Sequence, residues 1–102
     1  MNDLESTLIR RGRRATTFSD MVEFTQSVHQ QPFEMVLKEL PALASLSDTK
    51  FNLATKVLRR RFRTERGVDQ VRMRAEAEQI ARSVSSTFTA NRIRSIFEFE
   101  EA

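Results

Sequence analysis

Between Lys50 and Arg66, at about 100° per residue, apolar and basic side chains separate onto opposite sides of a helix. Phe51, Ala54, Leu58 and Phe62 share one stripe, flanked by Leu53 and Val57. Lys56, Arg59, Arg60, Arg63 and Arg66 lie on the other side, joined there by Thr49 and Asn52. The segment is a row of cations about 15 Å long, at 1.5 Å per residue, mounted on an apolar keel. The keel has to be buried against other elements, and the cations have to face outward.

The rest of the chain extends the helical pattern. Only 2 glycines and 2 prolines occur in 102 residues, too little punctuation for the tight turns of an all-β fold. A hydrophobic content of 39% with 30% charged residues suits a globular helical chain rather than a disordered one. The expected class is all-α: a small bundle of four to five short helices forming a symmetric homodimer. The expected organisation is a mobile basic arm over 1–15, a single helical domain over 16–97 and an acidic tail over 98–102.

Local signals place the elements. Residues 3–9 allow a short helix, but Gly12 inside Arg-Arg-Gly-Arg-Arg weakens its continuation, so Arg10 to Ala15 is expected to be mobile. Thr17 or Ser19 caps a helix reaching about Gln30, with Phe18, Met21, Val22 and Val28 inward. Pro32 opens the next helix, carrying Phe33, Val36, Leu37 and Leu40, which Pro41 is expected to end or kink. Ser47 or Asp48 caps the basic helix, Thr49 to Glu65, and Gly67 stands where a left-handed terminating residue is common. Asp69 then caps a helix from Gln70 to Val84, unless Gly67 is absorbed into one long helix from Thr49 to Val84. A polar break at Ser85, Ser86 and Thr87 precedes a last helix starting at Thr89 or Asn91, with Ile93, Ile96 and Phe97 inward.

Charge is segregated along the chain. The formal net charge is only +3, yet the isoelectric point is about 10.2. Arg10, Arg11, Arg13 and Arg14 crowd the start, and Glu98, Glu100 and Glu101 crowd the end. Arginine pairs with phosphates through a planar, bidentate fork and stays charged at every accessible pH. The chain has no cysteine, so disulfides and thiolate metal sites are excluded. No apolar run approaches the roughly 20 residues that span a bilayer, and the first residues lack the order of a secretory signal. The expected location is intracellular: cytoplasmic, or nuclear if the basic arm acts as an address.

Candidate sites follow from these groups. Lys56, Arg59, Arg60, Arg63 and Arg66 can displace counterions from nucleic-acid phosphates, while Asn52 and Thr49 can touch a base edge or a ribose hydroxyl. Arg10, Arg11, Arg13 and Arg14 suit an arm that follows a backbone or enters a minor groove. Arg72 and Arg74 are candidates to extend the basic surface past Gly67. The plain alternative is a solvated face neutralised by acids on neighbouring helices, for instance Glu76 and Glu78. His29 is the one histidine and has no second ligand or nucleophile motif near it, so a surface or helix-end position is expected. The terminal glutamates lack the cleft that paired-carboxylate chemistry needs. No phosphate loop, zinc spacing or other catalytic motif occurs, so no enzymatic activity, catalytic residue, metal, cofactor or small-molecule substrate is expected.

No stretch assigns a family. Leu40 to Ser47, followed by Lys50–Phe51 and Lys56–Val57–Leu58, loosely resembles the BESS protein-interaction motif of insect chromatin proteins. In layout, a small helical dimer carrying basic helices resembles the nodavirus silencing suppressors and the RNA-binding domain of the influenza non-structural protein; the likeness implies backbone and shape recognition of duplex RNA. The expected function is therefore a binding protein that grips a nucleic-acid duplex, double-stranded RNA slightly before DNA. Such a protein shields RNA or serves as a small regulator. The competing expectation is a helical interaction module whose arginines pair with an acidic partner. Leu53 and Val57 widen the keel toward a second packing surface, which is where the dimer is expected.

Overall fold

A computed structural model describes residues 7–98, and within them there are six helices and no strand. They are α1 (Thr7–Arg14), α2 (Phe18–Gln30), α3 (Phe33–Leu46), α4 (Asp48–Thr64), α5 (Gln70–Ser83) and α6 (Thr87–Ser95). Four of the starts carry the cap that short polar side chains provide. The Thr17 hydroxyl accepts from the Asp20 amide at 3.1 Å, and the Asp20 carboxylate accepts in return from the Thr17 amide. Ser47, Asp69 and Ser86 accept in the same way from Lys50, Arg72 and Thr89 at the starts of α4, α5 and α6. Ser47 has extended backbone and separates α3 from α4 by itself, so the two form a tight helical hairpin.

One apolar core runs from Leu8 to Phe97. Phe24, Leu37, Leu40, Leu43, Phe51 and Leu58 are all essentially inaccessible, and each contributes about 1.5–3 kcal/mol by leaving water. Phe33, Phe62 and Phe97 form a ring cluster joining α3, α4 and the turn after α6, with Phe62 and Phe97 edge to face at 4.6 Å. The keel of α4 is therefore held on several sides, which fixes which way its cations point.

Several expectations are corrected. The chain from Thr7 to Arg14 is not a mobile arm but a helix that buries Leu8 and Ile9. Gly12 costs about 1 kcal/mol of helix propensity, but its missing side chain lets α1 lie close to α2. A Cβ there would come 3.1 Å from the Phe24 ring. The Gly12 carbonyl also accepts from the Lys50 ammonium, and the Arg11 guanidinium donates to the Ser27 hydroxyl. Residues 1–6 of the expected arm, and residues 99–102 of the expected tail, lie outside the described residues.

Pro41 does not end α3, since the helix continues to Leu46. The burial of Leu37, Leu40 and Leu43 on one face offsets the lost amide donor. The basic helix and its successor are two helices, not one. Glu65 leaves α4 in an extended conformation, and no described residue, Gly67 included, has positive φ. Phe18 and Val22 do not point inward: α2 turns Phe24, Ser27 and Val28 to the core and leaves Phe18 85% and Val22 40% exposed. Val57 is buried in the protein's own core, and Leu53 packs against that core half-buried. The last helix starts at Thr87, earlier than either expected residue, Thr89 or Asn91, because Ser86 is its cap.

Candidate nucleic-acid interface

With Phe51, Ala54, Leu58 and Phe62 buried, the opposite side of α4 stands outward. Thr49, Lys56, Arg60 and Arg63 are exposed along it, and Asn52 and Arg59 are half-buried at its edge. Arg66 is exposed in the connection after the helix. Lys56, Arg59, Arg60, Arg63 and Thr64 line one shallow concavity of about 310 Å³ that contains no acidic side chain. Lys56 and Arg63 are seven residues apart, or about 10 Å along the axis.

The acids that would neutralise this face are engaged elsewhere. Glu34 pairs with Lys38 at 3.1 Å and Arg72 at 2.7 Å, and Glu76 approaches Lys38 at 3.6 Å, which ties α3 to α5. Glu78 receives Arg82 and Arg94 at 3.0 Å each, which ties α5 to α6. Hydrogen bonds from Arg94 first and Arg82 second hold the Glu78 carboxyl at about 2, well below its ordinary value. Among the described residues, Lys56, Arg60, Arg63 and Arg66 have no carboxylate within ion-pair distance.

Arg61 shows what a structural arginine looks like in the same run. Only 11% of its side chain is exposed. It donates to the carbonyls of Val28 at 2.8 Å and Gln31 at 2.7 Å and pairs with Glu65. These carbonyls belong to the end of α2, where helix geometry leaves acceptors without partners. Arg72 and Arg74 do not extend the basic face: Arg72 is bound to Glu34, and the Arg74 guanidinium lies over the rings of Phe62 and Phe97. The Asn52 carboxamide oxygen is buried, with no hydrogen-bond partner among the described residues, so it does not face outward to read a base.

Arg10, Arg11, Arg13 and Arg14 sit on α1, not on a strand free to reach, and none of them lines the α4 concavity. Arg11 and Arg14 instead flank Asp20 and Glu23 in a separate hollow between α1 and α2. His29 is exposed in the last turn of α2. No group of three potential metal ligands occurs among the described residues, and no described helix is long and apolar enough to cross a membrane.

Sequence reasoning missed the outward face of α6. Thr87, Phe88 and Asn91 are exposed there, Phe88 at 57%, and the Arg92 guanidinium lies 5.4 Å from the Phe88 ring centre. The signal was present, because with Ile93 and Ile96 inward a helix starting at Thr87 must turn Phe88, Asn91 and Arg92 away from the core. Placing the start at Thr89 or Asn91 removed the turn that carries Phe88.

The arrangement on α4 offers concentrated positive charge and arginine forks. It is equipped to hold anionic oxygens. Compared with family models, curated proteins and solved structures, the chain matches none.

Proposed function

We propose that the chain is a non-enzymatic nucleic-acid-binding protein that grips a duplex by its phosphate backbone through α4. Lys56, Arg59, Arg60, Arg63 and Arg66 carry the contacts, with Thr49 at the other end of the face. The observation that supports this most is the contrast within one chain: acids pair with Lys38, Arg61, Arg72, Arg82 and Arg94, while Lys56, Arg60, Arg63 and Arg66 are left without a carboxylate among the described residues. Shape and charge dominate recognition, since base-reading side chains are scarce in the concavity. Double-stranded RNA is therefore slightly preferred to DNA, and the biological role is RNA shielding or regulation.

Two copies acting together would double the cationic face across a groove. The exposed Phe18 and Val22, one turn apart on α2, supply an apolar contact for such a homodimer, and sedimentation of the wild type against Phe18→Ser tests it. The competing reading is an interaction module. The one-turn spacing of Lys56, Arg60 and Arg63 equally fits carboxylates on a partner helix.

A titration of the full chain with generic RNA and DNA duplexes, at low and moderate salt, separates these readings. The proposal expects affinity for both that falls steeply with salt, somewhat higher for RNA. Absence of duplex binding at low salt assigns the face to an acidic protein partner instead.

A further inference from the structure

The exposed ring on α6 has no role in the core and none in the α4 concavity. We propose that α6 is a stacking platform for an unpaired nucleobase next to the duplex, with Phe88 as the platform, Arg92 as the clamp on the nucleotide's phosphate and Asn91 as the group that meets the base edge. This rests on the reading of α4 as a phosphate-binding face.

Position comes first. Ile93 and Ile96 bury α6 on its inner side, and Phe97, immediately after it, meets Phe62 of α4 at 4.6 Å. Helices packed in this way run about 8–10 Å apart, less than the roughly 12 Å width of a DNA major groove. α6 is thus a packing neighbour of α4, and an unpaired nucleotide leaving a duplex held on α4 has α6 as an adjacent helix.

The chemistry of the face then selects the ligand. Phe88 is 57% exposed, so a flat apolar surface stands in water at a site where packing does not require it. The Arg92 guanidinium sits 5.4 Å from the ring centre, and no described carboxylate pairs with it. A cation over a ring fixes the ring's orientation and supplies charge for a phosphate at its rim. Asn91 is exposed on the same side, with an amide that both donates and accepts. Bases within a duplex hide their faces in the stack, so only an unpaired base can lie on Phe88. Aromatic side chains hold such bases at single-stranded ends, loops and bulges. The preferred ligand is therefore a duplex bearing an unpaired nucleotide at its end or at a bulge.

The test uses the full chain and two labelled RNA duplexes of identical paired sequence, one blunt and one with two unpaired nucleotides at each end. The wild type is expected to bind the overhanging duplex more tightly by roughly 5- to 150-fold, the range of one aromatic–base stack. Phe88→Ala should bind both as the wild type binds the blunt duplex, with an unchanged salt slope. The chain has no Trp and no Tyr, so Phe88→Trp introduces its sole strong emitter, whose fluorescence should be quenched by the overhanging duplex and not by the blunt one. Equal wild-type affinity for the two duplexes overturns the inference while leaving the α4 reading intact. So does a Phe88→Ala protein that keeps the preference, in which case the patch serves another partner. If neither duplex binds at low salt, the α4 reading has failed and this inference with it.

Discussion

Arg60→Gln with Arg63→Gln gives the account its most quantitative consequence. Both side chains are exposed on α4 and lack a carboxylate among the described residues, so nothing in the fold depends on their charge. Glutamine is nearly as good a helix former as arginine, and exposed substitutions of this kind change stability by about 0.5 kcal/mol or less. Binding should respond quite differently. If Lys56, Arg59, Arg60, Arg63 and Arg66 each displace one phosphate's counterion on duplex DNA, the log–log salt slope is about −4.5 per chain, and removing two leaves about −2.7. A rise from about 50 to about 200 mM salt should then weaken the wild type about 500-fold and the variant about 40-fold. At about 0.1 M salt the variant binds about 60-fold more weakly, equivalent to about 2.4 kcal/mol. Fluorescence anisotropy across a salt series reads the slopes, and far-UV circular dichroism confirms that helicity is retained. The reasoning is refuted if the double variant keeps the wild-type slope, or if it loses affinity with the slope unchanged.

Other consequences follow from the fold. Arg61→Ala, in the same basic run, should cost about 2–3 kcal/mol in urea unfolding, because it strips a charged donor from the Val28 and Gln31 carbonyls. It should leave the salt slope of the folded protein unchanged. Gly12→Val should destabilise by about 1–3 kcal/mol through overpacking against Phe24, whereas Gly67→Ala, with open space and no positive φ, should stabilise by about 0.4–1 kcal/mol in thermal unfolding. Glu78 should titrate in the folded chain at about 2, below its ordinary value of 4.5, in a carboxyl NMR titration. Because the folded value is depressed, its contribution is complete above about pH 4.5 and fades as pH falls toward 2, and Glu78→Gln should abolish that part of the acid sensitivity.

The helical class and the direction of α4 were readable because periodicity is strong where apolar and basic residues segregate, as between Lys50 and Arg66. The caps at Thr17, Ser47 and Asp69 were readable for a similar reason, since a short polar side chain before an apolar run has a local cause. What failed needed tertiary information. Gly12 looks like a break until the Phe24 ring that occupies its missing side chain is known. Pro41 looks like a terminus until the buried face formed by Leu37, Leu40 and Leu43 is weighed against one lost hydrogen bond. Phe18 and Val22 share helical spacing with true core residues, and only the packing of α2 decides which stripe turns inward. On the candidate face, Lys56, Arg59, Arg60 and Arg63, which helical spacing puts on one side, line one concavity. Sequence could not tell that Arg72 is spoken for by Glu34, because ion pairing across helices leaves no local signature.

The central claim is that the cations of α4 left without carboxylates meet phosphates directly, and arginine side-chain NMR tests it most directly. The Nε–Hε signals of Arg60 and Arg63 should shift on titration with a duplex, while those of Arg61 and Arg94, already held by the Glu65 and Glu78 carboxylates, stay in place. Signals of Arg60 and Arg63 that remain unmoved at saturating duplex would contradict the account.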